Sequence, residues 1–166
     1  MQRIIAASQR RSWSAHRALV SRSLDDPALI SLFRGGRPLP PGYGIGFDER
    51  VVELPWLLAH RLRGRVLDAG SALNHDHVLD RLLPRVENLH VVTLAPEEQS
   101  FTQRGVSYVY EDLRDLPYRD GWFDVVACVS TLEHVGMDNQ LYSSAVPAVV
   151  DPQPEVDRAM PNSHAS

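Results

Sequence analysis

Residues Val106–Asn139 read VSYVYEDLRDLPYRDGWFDVVACVSTLEHVGMDN. The run holds a strand-like segment, Ser107–Tyr110, an acidic loop and a Pro-Tyr-Arg-Asp-Gly turn. A second strand over Phe123–Cys128 follows, and after it Ser130-Thr131-Leu132-Glu133-His134. Asp120-Gly121 supplies the turn residues that a reversal needs. Upstream, Arg65–Asp68 and His90–Leu94 are two further short apolar runs. All four are Val-rich and scarcely alternate, the pattern of strands covered by helices on both faces. Asp76–Leu83, with Val78, Leu79, Leu82 and Leu83 facing inward, is predicted as a helix between the first two strands. A brief helix is predicted over Pro96–Thr102, between the second and third. Strand–helix alternation predicts an α/β fold, a Rossmann-like doubly wound and mainly parallel sheet.

Ahead of the sheet lies a helical extension. A first helix is expected over Ala6–Ser23, its apolar face using Trp13, Ala18 and Leu19. A second short helix has Asp25 or Asp26 as its cap, Pro27 in its first turn, Leu29, Ile30 and Phe33 on its buried face, and Gly35-Gly36 behind it. Gly35–Gly46, GGRPLPPGYGIG, reads as loop. A third helix is expected over Glu53–Arg63, with Pro55 in its first turn and Gly64 after it. The implied organisation is an extension and loop over 1–46, a core over 47–145 and an irregular tail over 146–166.

The chain has 166 residues, 43% of them hydrophobic, enough for a core. No run of eighteen apolar residues is present, so no membrane span is expected, and the N-terminus lacks the apolar core of a signal peptide. The single cysteine, Cys128, precludes an internal disulfide and reads as a buried, inert thiol; a cytoplasmic protein is expected. All 17 basic residues are arginine, so this chain has no lysine for a P-loop or a Schiff base. Residues 1–65 carry 11 arginines against 5 acids, and residues 66–166 carry 6 against 16. The arginines are dispersed and no nucleic-acid motif appears, so they read as a solvated surface and no nucleic-acid partner is expected. His75-Asp76-His77 raises a metal site, but on a helix residues two apart point about 200° from each other and cannot share an ion. Capping by Asn74 or Asp76 is the alternative, and no metal is expected. No GxSxG elbow supports a hydrolase.

In an open α/β sheet, ligands settle at the carboxyl ends of the strands. The loops after Asp68, Leu94, Tyr110 and Cys128 therefore carry the candidate site. Gly70 permits a sharp turn and a close approach to a ligand, and Asp68 offers a carboxylate to donors.

These loops resemble those of class I S-adenosylmethionine-dependent methyltransferases. Asp68 and Gly70 match the first two elements of that family's acid-x-Gly-x-Gly-x-Gly motif, with Ala72 and Asn74 where further glycines are usual. Glu111-Asp112-Leu113 followed by Leu116-Pro117 is similar to the family's Gly-Asp-x-x-x-Leu-Pro segment. Asp120-Gly121-Trp122-Phe123-Asp124-Val125-Val126 resembles the lead-in to its fourth strand, with Asp124 structural. Leu132-Glu133-His134 resembles its Leu-Glu-His segment, where Glu133 and His134 form either an acid–base pair or a helix cap. The resemblance implies S-adenosylmethionine as cofactor, with Asp112 on the adenine amino group and Leu113 beside the ring. Asp68, Gly70, Ser71 and Ser130 would complete the walls. The acid that usually holds the ribose hydroxyls is missing near Thr93–Ala95, leaving Thr93 or Glu97 for that place.

The resemblance implies methyl transfer to an unidentified acceptor. It also implies a further helix, a Pro-Gly-Gly turn, a fifth strand and a hairpin, where this chain reads AVPAVVDPQPEVDRAMPNSHAS. A truncated domain is therefore expected, with the fourth strand as an exposed edge prone to self-association. The alternatives are an inactive cofactor-binding remnant and a Rossmann-like interaction module.

Overall fold

Four apolar runs form the sheet. The computed structural model describes residues 2–135, with side chains from Trp13 onward and excepting Glu133. The strands are β1 (Arg65–Ala69), β2 (Asn88–Thr93), β3 (Val106–Tyr110) and β4 (Val125–Cys128). They pair in the order β3-β2-β1-β4, all parallel, with Asp68 level with Val91 and Ala127. The order reverses at β1, between β2 and β4, which is where a doubly wound sheet opens a crevice.

Alternation along the strands splits the core in two. Val66, Leu89, Val91, Val106 and Ala127 face helices α1 (Gln2–Asp25), α3 (Arg50–Ala59) and α4 (Asp76–Leu82) through Val20, Val51, Leu54, Leu58, Val78, Leu79 and Leu82. Leu67, Ala69 and Val92 face the opposite way. Among the described residues this second face is covered by loop side chains, Leu113, Leu116, Tyr118 and Phe123, rather than by the expected helices. Phe123 precedes β4 instead of beginning it. Cys128 is half-buried against the same cluster.

Helix α1 buries Val20 and Ser23, while Trp13 is 65% exposed and Ala18 lies at the surface, correcting the expected apolar face. Ion pairs Arg17–Asp76 (2.7 Å) and Arg81–Asp25 fasten α1 to α4. Helix α2 (Pro27–Arg34) is capped by Asp26, which accepts the Ala28 and Leu29 amides. The loop after it returns Tyr43 to pack edge-to-face against Phe33.

Helix α3 begins three residues before its expected start and ends at Ala59, because His60 turns to extended backbone. Pro55 is consequently its sixth residue. A proline there removes the N–H that would reach Val51 C=O, four residues back. The Tyr43 hydroxyl donates to that carbonyl instead, at 2.7 Å. Ser23 Oγ lies 2.8 Å from Tyr43 Oη and from Leu19 O. Tyr43 gives its one proton to Val51 O and so satisfies the carbonyl orphaned by proline, while Ser23 Oγ–H is directed to Leu19 O beside it.

Other departures are local. No helix forms over Pro96–Thr102; only Thr102–Arg104 makes a 3₁₀ turn. Helix α4 ends at Leu82 and passes into a 3₁₀ turn over Leu83–Arg85. Among the described residues no helix is long and apolar enough to cross a membrane.

Candidate functional site

At the carboxyl ends of the strands lies a cavity of about 890 Å³. Its walls include Gly70 and Ser71 after β1, Thr93 to Glu98 after β2, Glu111 to Leu113 after β3, and Ser130, Thr131, His134 and Val135 after β4. Glu49 and Arg50, at the start of α3, complete it. Ladder-like bonds set the loops at one level: Gly70 N donates to Val92 O (2.9 Å) and Glu111 N to Thr93 O (3.1 Å).

Six of the seven residues singled out from the sequence, Gly70, Ser71, Thr93, Asp112, Leu113 and Ser130, stand in these walls. Asp68 does not. Its side chain points into the helical core beside Val66, Val91 and Ala127, with no exposed surface. Oδ2 accepts the Leu73 amide at 2.8 Å, pinning the loop from below, and Oδ1 has no hydrogen-bond partner among the described residues. Burial pushes this carboxyl up to about 7, opposed by the Leu73 amide and reinforced by the charge of Glu97.

Gly70 is required by geometry. Its φ is +105°, and a Cβ there would lie 2.0 Å from Thr131 Oγ1. The close approach that glycine permits is to the β4 loop, not only to the cavity. Ala72 is buried in the main core, away from the walls. Asn74, in the place of a later glycine, is buried and reaches across: its amide donates to Glu97 Oε2 (2.8 Å) and Gln99 O (3.1 Å). Tyr108 donates to Asn74 Oδ1 (2.7 Å) and accepts the Phe101 amide (2.9 Å). Ser71 also donates to Glu97. The Pro96–Thr102 segment is thus held in an irregular course by Ser71, Asn74 and Tyr108, which explains the missing helix.

Asp112 lines the wall, but Arg114 grips its carboxylate through Nε (2.9 Å) and Nη2 (2.6 Å). Asp124 is structural: it accepts Arg65 N (2.8 Å) and Nε (3.2 Å), which hold its carboxyl below the usual range. Of the pair Glu133 and His134, His134 lines the cavity and the Glu133 side chain lies outside the described residues.

His75 precedes α4 with extended backbone, so its ring does not point away from His77; the two stack 5.7 Å apart. Neither Asn74 nor Asp76 fills the capping position, which His75 occupies. No group of three ligating side chains occurs among the described residues.

Among the described residues two non-glycine residues adopt positive φ, Ser71 (+64°) and Ser130 (+50°), and both border this cavity. Backbone strain concentrated at one cavity points to function. The family model described as "Methyltransferase domain" matches residues 69–152, just over half of the chain and the stretch that supplies most of these walls. The chain belongs to the class I S-adenosylmethionine-dependent methyltransferase domains. No curated protein and no solved structure matches it. Within this methyltransferase domain, Tyr108, which holds Asn74 in place, is a supporting residue that motif reading does not isolate. Arg50 and Glu53 precede the matched stretch altogether.

Proposed function

We propose that the 890 Å³ cavity binds S-adenosylmethionine and that the chain acts as a methyltransferase on an acceptor with a nucleophilic N, O or S atom. The observation that carries this is the convergence of loops from all four strands on one cavity at the point where strand order reverses. The walls fit such a ligand. Leu94, Leu113 and Val135 offer apolar surface to a flat ring. Glu97, anchored by Ser71 and Asn74, offers carboxylate oxygens to the ribose hydroxyls in place of the acid absent from Thr93–Ala95. Asp112, steadied by Arg114, keeps acceptor capacity for the adenine amino group.

Among the described residues the walls carry Glu49, Glu97, Glu98, Glu111 and Asp112 against the guanidinium of Arg50. Such a field favours a cationic ligand. When bound, S-adenosylmethionine supplies an electrophilic methyl group on a sulfonium. The chain's own part is to orient the reactants and exclude water, which needs no covalent catalyst. We place the protein in the cytoplasm, a reading supported by the single cysteine.

Calorimetric titration with S-adenosylhomocysteine, with release of that product scored over a panel of amine, hydroxyl and thiol acceptors, tests the proposal. Failure of the chain to bind either cofactor form sinks it. Binding without turnover on any acceptor would favour the inactive cofactor-binding remnant.

A further inference from the structure

We propose that Glu53, on the N-terminal helix α3, is a positioning residue for the cavity, fixing both the backbone and the hydroxyl of Ser130. This rests on the reading of the cavity as the S-adenosylmethionine site. Glu53 precedes the stretch matched by the family and is half-buried behind the wall rather than in it.

Ser130 holds φ at +50°. A serine keeps that backbone only when its surroundings over-determine it. Glu53 does so from 77 residues away: its Oε1 accepts the Ser130 Oγ–H at 2.5 Å. Its Oε2 accepts Arg50 Nη1–H at 3.0 Å. Both carboxylate oxygens are therefore occupied, one by a cavity-wall hydroxyl and one by a cavity-wall guanidinium.

Two consequences follow for the site. A serine hydroxyl has one proton, and here it is given to Glu53. Toward the cavity Ser130 Oγ presents lone pairs alone, so it receives a donor from the ligand, an N–H, O–H or ammonium group. The second consequence passes through the chain. Thr131, next to Ser130, turns its Oγ1–H to Val129 O (2.9 Å) and sits against Gly70, where no Cβ could fit. Moving Ser130 would move Thr131 and with it the β1 loop. One carboxylate on α3 thus joins the N-terminal helices, the β4 loop and the glycine loop into one wall.

The test compares wild type, Glu53→Gln, Ser130→Ala, Ser130→Gly and the double variant Glu53→Gln/Ser130→Gly, titrated with S-adenosylhomocysteine. Glu53→Gln keeps an acceptor for the Ser130 hydroxyl but removes its charge, and should weaken binding about fivefold, the scale of a charge-assisted bond made neutral. Ser130→Ala loses the anchor but keeps the strained backbone. Ser130→Gly loses the anchor and also the strain, since glycine accepts positive φ readily. Glycine should therefore bind several-fold tighter than alanine, and adding Glu53→Gln to it should change affinity less than about twofold. Amide exchange across residues 129–135 should quicken in Glu53→Gln and not respond to the same change in the glycine background, a readout that general loss of stability would not reproduce.

Equal affinities for the alanine and glycine variants, or the same Glu53→Gln effect in both backgrounds, overturn the inference. If Glu53→Gln does not fold, Glu53→Asp, which keeps the charge but shortens the reach to Ser130, takes its place in both backgrounds and decides it in the same way. Wild type that binds no S-adenosylhomocysteine removes the reading of the cavity as well; wild type that binds while Glu53→Gln binds equally removes only the role of Glu53.

Discussion

Asp68 is the residue at which this domain's stability should depend most directly on pH. Its side chain has no exposed surface, one oxygen accepts Leu73 N–H, and the other has no hydrogen-bond partner among the described residues. Burial raises its pKa from 3.8 to about 7. The folded state therefore holds a proton that the unfolded state has already released across that interval. Stability is greatest below the unfolded value and falls as pH rises, levelling off once pH passes the folded value. At 1.36 kcal/mol per unit the whole effect is about 4 kcal/mol, of which about 2–3 kcal/mol falls between pH 5 and pH 8.

The perturbation is Asp68→Asn, which keeps the shape and the acceptor for Leu73 N–H but cannot ionise. It places an amide N–H₂ where Oδ1 lacked a partner, a cost on the order of 1–3 kcal/mol that does not vary with pH. The variant should be near wild type at pH 5 and more stable by about 1–3 kcal/mol at pH 8. Urea unfolding followed by tryptophan fluorescence at pH 5, 6, 7 and 8 measures it. The difference between the two proteins is the informative quantity. His75, His77 and His90 are held below the ordinary imidazole value by desolvation, so their stability is present above about pH 6.5 and lost as pH falls. That contribution is common to both proteins and cancels. A difference that stays flat from pH 5 to pH 8 would refute the assignment of Asp68 as a buried, protonatable acid.

Tyr43→Phe should destabilise by about 1–3 kcal/mol, because Val51 C=O loses the donor that replaces the N–H missing at Pro55; the cost should shrink in a Pro55→Ala background, where the helix supplies its own N–H, and equal costs in both backgrounds would count against that replacement. Glu97→Ala and Asp112→Ala should each weaken S-adenosylhomocysteine binding roughly tenfold, as one lost hydrogen bond predicts, and unchanged calorimetric affinity would remove the residue from the site. The outer edge of β4 has no strand partner among the described residues, and Val126 is 47% exposed; sedimentation should show concentration-dependent self-association that Val126→Lys suppresses, whereas wild type that stays monomeric at high concentration contradicts an open edge.

The strands were legible because each is a compact, scarcely alternating apolar run, and such runs belong to a parallel sheet even though, of the helices expected between them, only α4 forms. Helix ends were less so. Arg61-Leu62-Arg63 continues the spacing of α3, yet His60 is extended and its N–H closes on Leu57 O. Pro96-Glu97-Glu98 has the composition of a helix start, but Ser71 and Asn74 recruit the Glu97 carboxylate and tertiary bonds prevail. The side to which Asp68 points was present in the sequence as a period of two: Val66 and Asp68 share one face of β1, Leu67 and Ala69 the other. A strand-end acid matched to a motif draws attention to the ligand, and the pleat says otherwise. Glu53 and Ser130, 77 residues apart, form a pair that no local pattern encodes.

The two departures from the family pattern are explained together by one contact. Thr93–Ala95 lacks the usual acid, and Asn74 stands where a glycine is usual. Without the asparagine, Glu97 would lie beyond the end of β2 on an irregular segment, free to turn to water. Asn74 is buried with its carbonyl fixed by Tyr108, so its amide can point only outward, to Glu97 and Gln99 O. A glycine at position 74 would leave the Tyr108 hydroxyl without that acceptor and the Glu97 carboxylate without its nearest donor but Ser71. On the proposed reading, the acid has moved along the chain and the residue that replaces glycine holds it in place. Each change alone would damage the cavity, and together they keep a carboxylate at its wall.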